Sequence, residues 1–154
     1  MACDAWEELL TLLDRRALTA AEAEEALAAR GCARSKALAA VAKARRLGLI
    51  DDRRVAEEIA ERGGGGAPQG VLRVRHDLER RRVPERVAEQ ALASVDDLAR
   101  CRDALRAYLE RRGRPKDPRS LARLIGHLGR RGFTEESVQE VLTQAGIEPN
   151  WNDA

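Results

Sequence analysis

The chain has 154 residues, of which 44% are apolar, 35% charged and only 3% aromatic, and its formal net charge is +2. That length suits one domain or a short array of small units. No apolar run approaches the roughly 18 residues of a membrane span, and no basic-then-apolar leader opens the sequence. Cys3, Cys32 and Cys101 are scattered, odd in number and without a CxxC pair, so free thiols in a reducing cytoplasm are expected. Ala dominates the apolar set, which favours helices with thin Ala/Leu/Val cores.

Helical signals follow one another along the whole chain. Asp4 can cap a helix in which Trp6, Leu9, Leu10 and Leu13 share a face. Thr19 and Glu22 have capping-box spacing and open a helix through Ala23, Ala26 and Leu27, stopped by Gly31. A third helix starts near Arg34–Ser35 and runs through Ala37, Ala40, Val41, Ala44 and Leu47 to a stop at Gly48. There a left-handed residue is wanted, and glycine supplies it without the penalty of a β-carbon. Leu49 and Ile50 can pack back on the finished helix, and either Asp51 or Asp52 can cap the next, which turns Val55 and Ile59 inward.

The run Gly63–Gly66, followed by Ala67-Pro68-Gln69-Gly70, then interrupts the pattern. It lacks the Lys-Ser/Thr of a phosphate loop and reads as a connector. A fifth helix carries Val71, Val74 and Leu78, and a sixth follows Pro84 with Val87, Ala91 and Leu92. A seventh begins at Ser94–Asp97 and continues through Leu98, Cys101, Leu105, Tyr108 and Leu109. After a break at Gly113–Asp117, the Asp117-Pro118 pair starts an eighth helix with Leu121, Leu124, Ile125 and Leu128. Gly132 stops it, and Thr134 caps a ninth with Val138, Val141 and Leu142, ended by Gly146. No segment reads as a strand.

Three turns recur in register. Leu27-Ala-Ala-Arg-Gly31-Cys32, Leu78-Glu-Arg-Arg-Arg82-Val83 and Leu128-Gly-Arg-Arg-Gly132-Phe133 align, and each continues into Ala40-Val41, Ala91-Leu92 or Val141-Leu142 at the same offset. The expected fold is all-α: an elongated, curved array of three tandem three-helix repeats. Their spans are residues 1–50, 51–94 (with the Gly-rich loop 63–70) and 95–146, leaving residues 147–154 as a tail that contains Trp151.

The pattern Leu27-x-x-x-Gly31, Leu47-Gly-Leu-Ile-Asp-Asp52-x-Arg54-x-Ala56, Gly70-x-x-x-Val74-x-x-Asp77-Leu78 and Leu128-x-Arg130-Arg131-Gly132-Phe133 resembles the RecX regulatory proteins over residues 5–145. The resemblance implies tandem three-helix repeats, which agrees with the internal repeat. It also implies a regulator of homologous recombination and the SOS response, which binds the RecA recombinase filament in its groove on DNA. Such a regulator restrains ATPase activity, strand exchange and filament extension, and has no catalytic chemistry or cofactor of its own. Val55 and Ile59 stand where the family usually has Phe and Tyr, and Val71-Leu72 where it usually has Pro and basic residues.

Charge distribution supplies candidate contact residues. Residues 100–132 carry 11 basic side chains against 3 acidic, whereas residues 133–154 carry 5 acidic and none basic. A basic block of this kind suits a polyanion or an acidic protein surface. The candidates are Arg73, Arg75, Arg80, Arg81 and Arg82 around the fifth helix, with Arg102, Arg106, Arg119, Arg123, Arg130 and Arg131 further on. Arginine suits phosphates and carboxylates because its planar fork can engage either in bidentate fashion.

His76 and His127 have no ligand-spaced partner, and no metal or catalytic constellation is apparent. The partners that the resemblance implies are the RecA filament and, more weakly and electrostatically, single- and double-stranded DNA. A cytoplasmic monomer with no membrane association completes that picture. Two other readings stay open at this level: a basic helical protein acting on nucleic acid directly, and a helical-repeat scaffold for another protein.

Overall fold

A computed structural model of the chain describes residues 3–62 and 68–148. Among them are nine α-helices and no strand, so the all-α expectation holds. The helices are α1 (Ala5–Arg15), α2 (Ala20–Ala29), α3 (Arg34–Arg46), α4 (Asp52–Arg62), α5 (Val71–Arg80), α6 (Glu85–Leu92), α7 (Asp97–Arg112), α8 (Pro118–Arg130) and α9 (Glu135–Gln144). Gly63–Gly66 and Trp151, which the sequence reads as a connector and part of a tail, lie outside the described residues.

Local chemistry accounts for the helix starts. Asp4 accepts from the Glu7 amide at 3.2 Å, Asp96 from Ala99 at 3.0 Å, and Thr134 from Ser137 at 3.1 Å. Thr19 and Glu22 form a reciprocal capping box, as do Asp117 and Ser120. Pro118 occupies the first turn of α8, where its missing N–H leaves no helical bond unmade.

The three aligned turns share one geometry. The amides of Cys32, Val83 and Phe133 donate to the carbonyls of Leu27, Leu78 and Leu128 at 3.1, 3.1 and 3.4 Å. Those of Gly31, Arg82 and Gly132 donate to Ala28, Glu79 and Gly129, each at 3.0 Å. This is the Schellman pairing, and the residue at its pivot takes a positive φ: +82° at Gly31, +55° at Arg82 and +89° at Gly132. Arg82 does so without the freedom of glycine, alone of the non-glycine residues described.

The chain divides into two compact units, Met1–Glu58 with Leu78–Ala91 and Ile59–Asp77 with Leu92–Ala154, and the divisions fall inside α4, α5 and α6. In the first unit α1, α2 and α3 pack on one another around Leu9, Leu27, Ala23, Ala44, Val41 and Ile50. In the second, α7, α8 and α9 close around Leu124, Leu128, Cys101, Val141, Leu142 and Phe133. Each fully buried leucine contributes roughly 2 kcal/mol of transfer free energy.

Three apolar residues expected to face inward do not. Leu10 on α1, Leu47 at the end of α3 (59% exposed) and Leu49 (46% exposed) stand in solvent, while Ile50 is buried. The Gly48 turn sends alternate residues to opposite sides, so only one of Leu49 and Ile50 can return to the core. The expectation of free thiols also fails for two cysteines. Cys3, just before α1, and Cys32, just after the Gly31 turn, form a disulfide with their Cα atoms 5.1 Å apart. Packing of α1 against α2 and α3 brings them together, a tertiary effect with no signature in spacing. Cys101 is free and fully buried, as its inward position implies.

Candidate anion-binding cleft

In the first unit, helix starts are held by side chains and carbonyls distant in sequence. Asp51 caps α4 by accepting from the Arg53 and Arg54 amides at 3.1 and 3.3 Å, while Asp52 accepts from the amide of Ala20, at the start of α2, at 2.8 Å. The buried Thr19 hydroxyl donates to the carbonyl of Arg81 at 2.8 Å. Arg81 closes the arrangement: its Nε and Nη2 donate to the Glu22 carboxylate, and Nη2 also reaches the Ala17 carbonyl at 2.9 Å. Burial raises the Glu22 pKa, but the Arg81 hydrogen bonds, the Thr19 amide and the charges of Arg81 and Arg16 outweigh it, and the net shift is downward.

The second unit repeats these joints with other residues. Asp97 accepts from the amide of Val71, at the start of α5, at 2.7 Å, and from both the amide and hydroxyl of Thr134 at 3.1 Å. Gly70 donates its amide to the Arg131 carbonyl at 2.8 Å, and Leu72 donates to that of Gly132 at 2.9 Å. A β-carbon on Gly70 would meet the backbone of Gly132 and Phe133, so glycine is required there by close approach of two main chains. Ala20 and Val71 are equivalent positions of the sequence repeat, as are Arg81 and Arg131.

The candidate arginines therefore sort by what they touch. In the first unit Arg80 is exposed, Arg81 is engaged with Glu22, and Arg82 pairs with Glu25 at 3.1 Å. In the second, Arg73 pairs with Asp77 at 3.6 Å, and Arg75 is exposed. Arg102 donates to Gln144 at 3.1 Å, and Arg106 faces Asp103 at 3.8 Å. Arg119 is exposed in the first turn of α8. Arg131 is half-buried and donates from Nε to the Pro68 carbonyl at 2.7 Å.

Arg123 and Arg130 behave differently. With Arg111 and Arg112 of α7 they line a cleft of about 180 Å³ that also contains Tyr108 and His127. A second hollow of about 270 Å³ shares Tyr108, Arg112 and Arg123 and adds Arg114 and Ser120. No carboxylate is among the lining residues of either one; Asp117, at the start of α8, lies beside them, its carboxyl held below the usual range first by its hydrogen bonds with Ser120 and then by the charges of Arg123 and Arg119. The Tyr108 and His127 rings lie 5.0 Å apart at 46°, and the Arg112 guanidinium sits 5.9 Å from the Tyr108 ring centre. Burial pushes the His127 imidazole below its ordinary pKa, and Arg131, Arg111, Arg130 and Arg112 push it the same way. The imidazole is thus neutral at pH 7 amid several cations.

Sequence reasoning included Arg123 and Arg130 but missed Tyr108, Arg111, Arg112, Arg114, Ser120 and His127 as lining residues. The signal was present: Arg123, His127 and Arg130 follow one another at 4-3 spacing, and Arg111 and Arg112 lie three and four positions after Tyr108. His127 looked isolated because the residues around it are cations rather than ligands. Among the described residues no group of three or more His, Cys, Asp or Glu side chains could hold a metal ion, and no helix is long and apolar enough to cross a membrane.

The fold and the cleft define a class: an all-helical protein with capped, turn-linked helices and an arginine-lined, carboxylate-free hollow. No family model matches the chain. The regulatory protein RecX of Mycolicibacterium vanbaalenii is 34% identical over 143 residues, covering 87% of this chain and 78% of that protein. RecX of Halorhodospira halophila is 35% identical over 145 residues, covering 88% and 84%. The crystal structure of RecX from Lactobacillus salivarius shares the fold with a TM-score of 0.81 at 16% identity, over 94% of this chain and 96% of that one. The chain belongs to the RecX family of regulatory proteins.

Proposed function

We propose that this chain regulates homologous recombination and the SOS response by binding the filament that the RecA recombinase forms on DNA. It restrains ATP turnover, strand exchange and filament extension, and contributes no catalytic step of its own. Family membership supports the regulatory role, and the observation that carries the contact chemistry is the Tyr108–His127 cleft, where four guanidinium groups line one hollow with no carboxylate among its lining residues. Such a surface takes up phosphates of the bound DNA or carboxylates of a protein partner. In this reading the chain acts as a cytoplasmic monomer built of three helical modules, residues 1–50, 51–94 and 95–146.

The test is to add the protein to RecA recombinase on single-stranded DNA and follow ATP hydrolysis. A fall in rate is expected, and no inhibition at several-fold molar excess overturns the reading. Substituting Arg111, Arg112, Arg123 and Arg130 together by Gln should remove most of the effect while leaving the thermal melt in place.

The same cleft favours a second reading, direct binding of nucleic acid. It expects binding to bare single-stranded DNA to weaken steeply with salt. The slope should fall by about 0.7 for each phosphate-contacting arginine removed. Filament inhibition without bare-DNA binding excludes it.

A further inference from the structure

The Tyr108–His127 hollow contains one titratable group of the physiological range, held neutral beside cations that no carboxylate in its lining neutralises. The charged and titratable groups that face His127 come from several places. Tyr108, Arg111 and Arg112 belong to α7, Arg130 lies on its own helix, and Arg131 follows at that helix's end; Arg123 lines the same space. An anion entering here meets bidentate donors from two helices. A phosphate offers more acceptor oxygens than a carboxylate to guanidinium groups arriving from several directions. Burial is the larger part of what keeps a proton off the imidazole and the arginine charges the rest; an anion's charge offsets the arginine part, and a protonated imidazole is itself a donor.

We propose that this hollow binds a phosphate group and that binding favours uptake of a proton from solvent at His127. The inference rests on the reading of the cleft as the anion-contacting surface, and adds to it a ligand class and a pH response. A phosphate on a nucleic-acid backbone and a free phosphate share this chemistry. As pH falls from about 7.5 to 5.5, affinity for a backbone phosphodiester, whose single negative charge does not change over that range, rises because the bound state holds more proton at His127 than the free state. Electrostatics of the arginines alone change little over that range, since guanidinium stays charged throughout.

The test is a proton NMR titration of the two histidine rings in the full chain. It is run with no anion, with ten-nucleotide oligodeoxythymidylate, and with inorganic phosphate. His76, exposed on α5, serves as the internal reference. The oligonucleotide should raise the His127 pKa by about one unit, equivalent to a tenfold tightening between neutral and acid pH, and leave His76 in place. The paired substitution R123Q/R130Q should abolish the shift. H127Q should bind with no gain on acidification. A shift of equal size with inorganic phosphate at the same concentration supports the site and assigns it to small phosphates. Oligonucleotide binding with an unmoved His127 overturns the inference and leaves the regulatory reading intact, as does filament inhibition in the absence of any phosphate binding.

Discussion

Arg81 grips Glu22 with two donors, Nε 3.0 Å from Oε2 and Nη2 3.0 Å from Oε1, across 59 positions of sequence. The side chains are 24% and 14% exposed, so solvent screens this pair less than an ordinary surface pair. Glu22 also receives the Thr19 amide, and so joins the α2 cap to the turn that ends α5. Glu22→Gln should lower stability by about 2 kcal/mol. Arg81→Lys should recover little of the loss in a parallel Arg81→Ala, because one ammonium cannot reproduce the fork. Urea midpoints measure both.

The acid limb of stability follows from the same carboxylate. Its folded pKa lies below the ordinary value, so the unfolded chain binds the proton more readily. The contribution is full above the ordinary carboxylate range and is lost as pH falls through the lowered folded value. Thermal melts from pH 7 to 3 should show a smaller acid loss for Glu22→Gln than for the parent chain.

Two turn glycines with the same sign of φ should respond unequally to a methyl group. At Gly31, φ +82°, a β-carbon meets nothing within 4 Å; at Gly132, φ +89°, it runs into the backbone and β-carbon of Arg73. Gly31→Ala should cost about 1 kcal/mol, from conformation alone. Gly132→Ala should cost about 3 kcal/mol or more, because the start of α5 must withdraw. Equal losses in denaturant melts would contradict the close approach.

At the middle turn the substitution runs the other way. Arg82 holds φ +55° with a β-carbon, and its pair with Glu25 is well exposed on both sides. Arg82→Gly should stabilise the protein by about 0.5–1 kcal/mol, since relief of the left-handed strain exceeds an exposed ion pair. A lower melting temperature would mean that the pair outweighs the strain.

The cysteines separate into two chemical kinds. Burial, then the Asp97 charge, pushes the Cys101 thiol up to about 12, and its side chain is fully enclosed. Native protein at pH 8 should take no iodoacetamide at Cys101 over a time in which denatured protein is fully labelled. Digestion without reductant should yield a joined Cys3–Cys32 peptide. Cys3→Ser should lose about 3 kcal/mol of stability relative to that oxidised form, as closing a loop of this length suggests.

Much of the helical framework was legible because its signals are local. Asp4, Thr19, Asp117 and Thr134 cap the helices that follow them, and Gly31, Gly132 and Gly146 stop those before them. Periodicity was weaker at Leu10 and Leu47, where an apolar residue at the right spacing lies beyond the edge of the buried stripe. The Asp51–Asp52 pair marks the limit of local reasoning. Both were equivalent as caps for α4; Asp51 does that, and Asp52 serves α2, thirty-two positions back. Arg81 shows the same limit among the candidate contact residues, since its outward spacing gave no hint of Glu22. The cleft was half legible: Arg123 and Arg130 were named for their charge, whereas Tyr108 and His127 acquire meaning only when α7 lies against α8.

The interleaving of the two compact units bears on how the molecule is made. A ribosome releases Glu22 long before Arg81, and the intervening residues, at about 5–20 per second, take roughly 3 to 12 s to emerge. During that interval α1, α2 and α3 exist without the strap that the α5–α6 turn supplies, and the amide of Gly70 waits longer still for Arg131. Shortening the chain at any of the three divisions would leave a stub with an unanswered carboxylate or carbonyl rather than a free-standing half. The molecule matures from both ends of each joint at once, and Arg131 completes a bond that Gly70 has already begun.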